Sequence, residues 1–173
     1  KPELYLSHPD AHFWADFSFV DFSDEYLSSM TSSISSALEA MDDLENGAIA
    51  NPDENRMVGH YWLRNADLAP SEELTTAIQE TLAKVKEVAN AVHSGSLQSP
   101  HGPFTDLLVI GIGGSALGPQ FVGKALGHPD SDKLGVQFFD NTDPDGLDHT
   151  LSEIGESLNT TLALVISKSG GTP

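Results

Sequence analysis

The chain has 173 residues and no cysteine, with 39% apolar and 20% charged residues, the balance of a globular protein with a real core. It excludes a disulfide framework and any thiolate metal site. Eight basic against 26 acidic residues give a formal charge of −18, which argues against nucleic acid or an anionic membrane as partner because both need a basic footprint.

In chain order, residues 1–22 are aromatic (Phe13, Trp14, Phe17, Phe19, Phe22) without a clean period, and an irregular lead-in is expected. Lys1-Pro2-Glu3-Leu4 lacks the basic and apolar regions of a signal peptide, and no apolar run reaches the roughly 20 residues that span a bilayer. Ser23 is placed to cap a helix with Asp24 and Glu25 in its first turn. Leu27, Met30, Ile34, Leu38, Met41 and Leu44 recur at three- and four-residue spacing, with the methionines expected as core filler, and Gly47 ends the pattern. Asn51-Pro52-Asp53-Glu54 interrupts it. The next stretch, 55–64, mixes Arg56, His60 and Arg64 with aromatic groups, and local pairing of the arginines with carboxylates and a packed histidine is the simpler expectation. Pro70 and Ser71 open the clearest helix, whose apolar stripe is Leu74, Ile78, Leu82, Val85, Val88 and Val92, with Gly95 past its end. A Ser/Gly/Pro linker over 94–103 suggests a boundary between a helical segment, 1–99, and a sheet domain, 100–173.

Residues 107–110 are an unbroken branched apolar run, as in a strand buried on both faces of a parallel sheet. Gly111, Gly113 and Gly114 then imply a sharp turn and a backbone that approaches a ligand, and a helix over 115–126 follows. Glycine turn and helix amino terminus together offer N–H groups to an anion. A second strand spans 136–140, and Asp143-Pro144 starts a helix running to about 158, with Gly155 a weak point in its last turn. A third strand spans 161–166 and ends in Ser167-Lys168-Ser169-Gly170-Gly171-Thr172-Pro173. Strand, helix, strand, helix, strand with short connections predicts an α/β fold, a parallel sheet with flanking helices.

Ligands of such sheets bind outside the carboxyl ends of the strands, so the two glycine loops are expected to face one crevice. The second loop supplies three hydroxyls, one ammonium and bare N–H groups, which suits the three oxygens of a phosphate monoester. Gly111-x-Gly113-x-x-Ala116 also satisfies the dinucleotide fingerprint, with Asp140 where a ribose partner would sit. The hydroxyl-rich, lysine-bearing second loop has no role in that scheme. No Walker sequence or G-x-S-x-G elbow is present, and the seven scattered histidines do not suggest a metal site.

The two loops, Gly111-Ile112-Gly113-Gly114-Ser115-Ala116-Leu117-Gly118-Pro119 and Ser167-Lys168-Ser169-Gly170-Gly171-Thr172-Pro173, resemble the phosphosugar loops of the glucose-6-phosphate isomerase family. Asn51-x-x-Glu54-x-Arg56-x-x-x-His60-x-x-Leu63-Arg64 resembles its amino-terminal signature, and Phe139-Asp140-Asn141-Thr142-Asp143-Pro144 its bacterial and plastid branch. The resemblance implies a Rossmann-like three-layer sugar-isomerase (SIS) fold and reversible conversion of glucose 6-phosphate to fructose 6-phosphate through an enediolate. It implies no metal or organic cofactor, a homodimer at full length, and the cytoplasm or, alternatively, the plastid stroma. By motif, Ser167, Lys168, Ser169, Gly170, Gly171 and Thr172 would hold the phosphate, and Gly114 and Ser115 would contact the sugar. The family's proton-transfer base falls beyond Pro173, so the chain reads as an amino-terminal fragment in which no carboxylate is assigned that role and Arg56, His60 and Arg64 have no assigned part. A non-catalytic sugar-phosphate-sensing domain is the alternative, and a NAD-binding domain a weaker third.

Overall fold

The computed structural model describes residues 4–171, and the chain divides into two compact units, Lys1–Glu80 and Thr81–Pro173.

The first unit departs from the expected irregular lead-in. Strands β1 (Tyr5–His8) and β2 (Phe13–Asp16) form an antiparallel hairpin around a single 3-10 turn, closed by His12 in the left-handed region at φ 49°. Almost every residue of the two strands is exposed, so no buried face imposes the alternation by which a strand is read from sequence. Asp16 accepts the hydroxyl and the N–H of Ser18, and those bonds to its ionised form hold its carboxyl below the usual range.

Helix α1 (Asp24–Glu45) begins as its cap dictates, with Ser23 Oγ accepting the Tyr26 N–H at 3.1 Å. Its apolar stripe is not a core: no residue of α1 is buried, and Leu38 is 63% exposed. A short antiparallel pair, β3 (Ile49–Asn51) and β4 (Arg56–Met57), occupies the stretch expected only to interrupt helix. The short helix α2 (His60–Arg64) follows. Its Trp62, 4% exposed, is the buried anchor of this unit and donates its indole N–H to the Glu45 carbonyl at 2.8 Å. That bond ties α2 to the carboxyl end of α1 and satisfies a carbonyl the last helical turn leaves open.

Helix α3 (Glu72–Ser94) matches the expected span, with Ser71 Oγ accepting the Leu74 N–H at 3.3 Å and Gly95 at φ +75° past its end. The stripe is again largely uncovered; Val92 alone is buried, and Val85 is 60% exposed.

The second unit holds the expected sheet. β5 (Asp106–Ile110), β6 (Gly135–Phe139) and β7 (Thr161–Val165) run parallel in the order β6-β5-β7, in register from Asp106 opposite Gly135 and Thr161. The central strand carries the core residues Leu108 and Val109, as a run of branched residues between two neighbours requires. Helix α4 (Gly114–Leu126) links β5 to β6 and buries Ala116; helix α5 (Pro144–Ile154) links β6 to β7 and buries Ile154.

Both helices are bounded by identifiable chemistry. Gly127 ends α4 without a left-handed φ; a Cβ there would fall inside contact distance of the Gly123 carbonyl. Asp143 caps α5, accepting the Gly146 N–H at 3.1 Å, with Pro144 in the first position. The α-helix stops four residues short of the expected 158, because Gly155 at φ +55° turns the backbone and 155–160 continues as 3-10.

Replacing Trp62 with phenylalanine should cost about 1–3 kcal/mol of stability, because the Glu45 carbonyl loses its donor. Urea unfolding of the variant beside the parent measures it.

Candidate functional site

The glycine turn after β5 is shaped by crowding on one side and openness on the other. Gly111 is buried, and a Cβ built on it would lie 2.9 Å from Ser115 Cβ and 3.1 Å from the Ile166 carbonyl oxygen. Strand β5, the first turn of α4 and the chain leaving β7 therefore meet at one point where no side chain fits. The ladder continues past the strands there: Gly111 N–H donates to Phe139 O at 3.0 Å and Ile166 N–H to Ile110 O at 2.9 Å. Gly113 caps α4 at φ 57°, ψ −123°, a conformation that favours glycine. A methyl group placed on either Gly113 or Gly114 would meet no atom within 4 Å. The backbone is bare toward open space where a ligand would approach.

The expected supply of free N–H groups is partly used locally. Ser115 donates to Ile112 O at 3.2 Å, and Ala116 and Leu117 donate to Gly113 O at 3.0 and 2.9 Å. The N–H groups of Gly113 and Gly114 donate to no described residue.

In the second loop Ser167 Oγ accepts the Gly170 N–H at 2.9 Å, and Ser169 Oγ accepts the Gly171 N–H at 3.2 Å. Gly170 takes φ +70°, so the loop curls through the left-handed region. Neither hydroxyl donates to another described residue, and an N–H bonded to the oxygen makes its hydrogen a better donor. Thr172 lies outside the described residues.

A cleft of about 300 Å³ opens at the carboxyl ends of the three strands. It is lined by Gly111 and Ser115 from the first loop and Ser167 from the second, so both loops reach it. Gly114, Lys168, Ser169, Gly170 and Gly171 are not among its lining residues. Asn141 and Thr142, which follow β6, do line it, whereas in the sequence they read only as a connection to the α5 cap. A signal for them exists, because they leave β6, a strand of the same sheet, at its carboxyl end.

Asp140 is committed elsewhere than to a ribose. Its Oδ2 accepts Gln120 Nε2 at 2.8 Å and its Oδ1 accepts Asn141 Nδ2 at 2.9 Å, so both oxygens are engaged. That removes the acidic partner on which a dinucleotide scheme rests.

In the first unit Arg56 Nε lies 3.5 Å from Glu54 Oε2, the local pairing expected for it, and the His60 and Tyr61 rings stand 4.0 Å apart. Among the described residues no three His, Asp or Glu side chains are grouped as a metal site, and no helix is long and apolar enough to cross a membrane.

Sheet, crevice and loops define an α/β protein with a cleft at the carboxyl ends of parallel strands. The chain matches the family described as Phosphoglucose isomerase over residues 16–173 and belongs to that family. It is 55% identical over 166 residues to a glucose-6-phosphate isomerase of Synechococcus elongatus, covering 95% of this chain and 31% of the relative. A glucose-6-phosphate isomerase of Geobacter sp. is 56% identical over 158 residues, covering 91% of this chain and 30% of the relative. The chloroplastic glucose-6-phosphate isomerase 1 of Arabidopsis thaliana is 52% identical over 174 residues, covering 99% and 28%. The chain thus spans about three-tenths of the length of these curated relatives.

Gly111→Ala should lower stability by about 1–3 kcal/mol, since either Ser115 or Ile166 must move. Gly114→Ala, with open space at the same position, should stay within about 0.5 kcal/mol of the parent. Thermal or urea unfolding of the two variants in parallel separates crowding from loss of a glycine.

Proposed function

We propose that the protein catalyses the reversible isomerisation of glucose 6-phosphate and fructose 6-phosphate, with this stretch of chain supplying the phosphate and sugar loops of the site. The observation that carries the reading is the Gly111–Ser115 turn and the Ser167 loop opening on one cleft, in a chain of the phosphoglucose isomerase family. In this reading Ser167, Lys168, Ser169, Gly170, Gly171 and Thr172 hold the phosphate through hydroxyl, ammonium and N–H donors, and Gly114 and Ser115 contact the sugar. Charge-assisted bonds of that kind let a chain of formal charge −18 hold an anion locally.

The isomerisation moves a proton between C2 and C1 of the opened sugar through an enediolate and needs no metal or organic cofactor. Its base is not assigned to a carboxylate of this chain. Of those beside the cleft, Asp140 is engaged on both oxygens and Asp143 caps α5. The sheet unit fits the beginning of a sugar-isomerase (SIS) fold starting at about residue 100, after a mainly helical 1–99. A homodimer in the cytoplasm or a plastid stroma completes the proposal; bacterial and chloroplastic relatives support either compartment.

The test is an assay of fructose 6-phosphate conversion to glucose 6-phosphate on the product of the complete reading frame, beside the 173-residue chain. Activity in the longer product only is the expected result. Binding of the sugar phosphate without turnover would replace the enzyme by a sensing domain, and turnover by the short chain would overturn the assignment of the base elsewhere. Within the active form, Thr172→Ala should weaken fructose 6-phosphate binding by about 1.5–3 kcal/mol, the loss of one hydrogen bond to a charged group. Gly114→Val should abolish measurable binding by placing a branched side chain where the backbone is bare; calorimetric titration reads both.

A further inference from the structure

The cleft has three walls, and the third has no assigned part in the isomerase reading. The turn that joins β6 to α5 contributes Asn141 and Thr142 to the lining, beside Ser115 of the first loop and Ser167 of the second. The two residues differ in what they have left to offer. Asn141 is spent on the turn itself: its amide donates to Asp140 at 2.9 Å, and its carbonyl accepts the Asp143 N–H at 2.8 Å. Thr142 makes no hydrogen bond to any described residue, so its hydroxyl retains both donor and acceptor capacity.

The turn is also braced. Asp140 takes Gln120 of α4 on one oxygen and Asn141 on the other, and Asp143 takes the Gly146 N–H at 3.1 Å. The helix that begins at the first glycine loop is thereby tied to the wall that carries Thr142. A hydroxyl on a braced turn, in a cleft at the ends of parallel strands, meets the requirement for a binding group held in place by its own support.

We infer that Thr142 is a further ligand-binding residue of this site, donating or accepting one hydrogen bond with a hydroxyl of the bound sugar phosphate, and that Asp140 is the positioning residue that holds its turn against α4. The inference rests on the isomerase reading for the identity of the ligand.

The experiment uses the product of the complete reading frame and fructose 6-phosphate as substrate. Thr142→Val, which removes the hydroxyl and keeps the shape, should raise KM about three- to tenfold with an unchanged thermal midpoint, the range of one neutral hydrogen bond. Thr142→Ser should return KM to within about twofold of the parent. Asp140→Asn keeps the size but turns one acceptor into a donor that repels Gln120 or Asn141. It should raise KM as well, and in its background Thr142→Val should add less than it does alone, because both act through the same contact. If Thr142→Val leaves KM at the parent value, or if the serine variant fails to restore it, the inference is overturned. Fully additive effects of Asp140→Asn and Thr142→Val would overturn the positioning role of Asp140. A parent protein that neither binds nor converts fructose 6-phosphate would overturn the isomerase reading, and this inference with it.

Discussion

Three stretches of backbone come together at Gly111: the end of the central strand, the first turn of α4 and the carbonyl of Ile166 beyond β7. The approach is closer than a methyl group allows, and the consequence reaches in two directions. Downward, it lets the ladder of the sheet run one residue past β5 and β7, so the floor of the cleft there is hydrogen-bonded backbone. Upward, it brings the two glycine loops to the same opening. Any larger residue would force the helix or the third strand outward, and the walls that carry Ser115 and Ser167 would part.

The supports around this point are polar and local. Asp140 is bound on one side to the helix of the first loop and on the other to its own turn, and the turn in turn caps the next helix through Asp143. The chain of bonds runs from α4 through Asp140 and Asn141 to the cap of α5. The cleft itself is lined mainly by Ile110, Ile112, Phe139, Leu147, Val165 and Ile166, so its polar groups, Ser115, Asn141, Thr142 and Ser167, stand out against an apolar wall.

Much of the sheet unit is readable from sequence. Branched residues at 107–110 and 161–165, the Asp143-Pro144 cap and the glycine breaks each have a local physical cause that operates without knowledge of the fold. Legibility ends where local cause and tertiary burial part company. The β1–β2 hairpin has nearly every side chain exposed, so no alternation marks it. The stripes of α1 and α3 are amphipathic at the right period, yet periodicity reports only that a face is apolar and not that anything lies against it. By composition Gly155 only weakens α5, whereas its positive φ ends the α-helix outright. In the site, the candidate phosphate donors stand out by residue type, whereas Thr142 differs from any other threonine only by where β6 delivers it.

The order β6-β5-β7 leaves one side of each outer strand without a partner among the described residues, and Val165 on the β7 side is 69% exposed. Such edges are templates for adding a strand from another molecule. What opposes that in this chain is charge at a distance: −18 on each copy makes two chains repel before their edges meet. The repulsion is screened over roughly 10 Å at 0.1 M salt, whereas the backbone bonds of an added strand are not. Dilute buffer is therefore where that repulsion is strongest, and added salt weakens it while leaving the hydrogen-bonding capacity of the edges untouched.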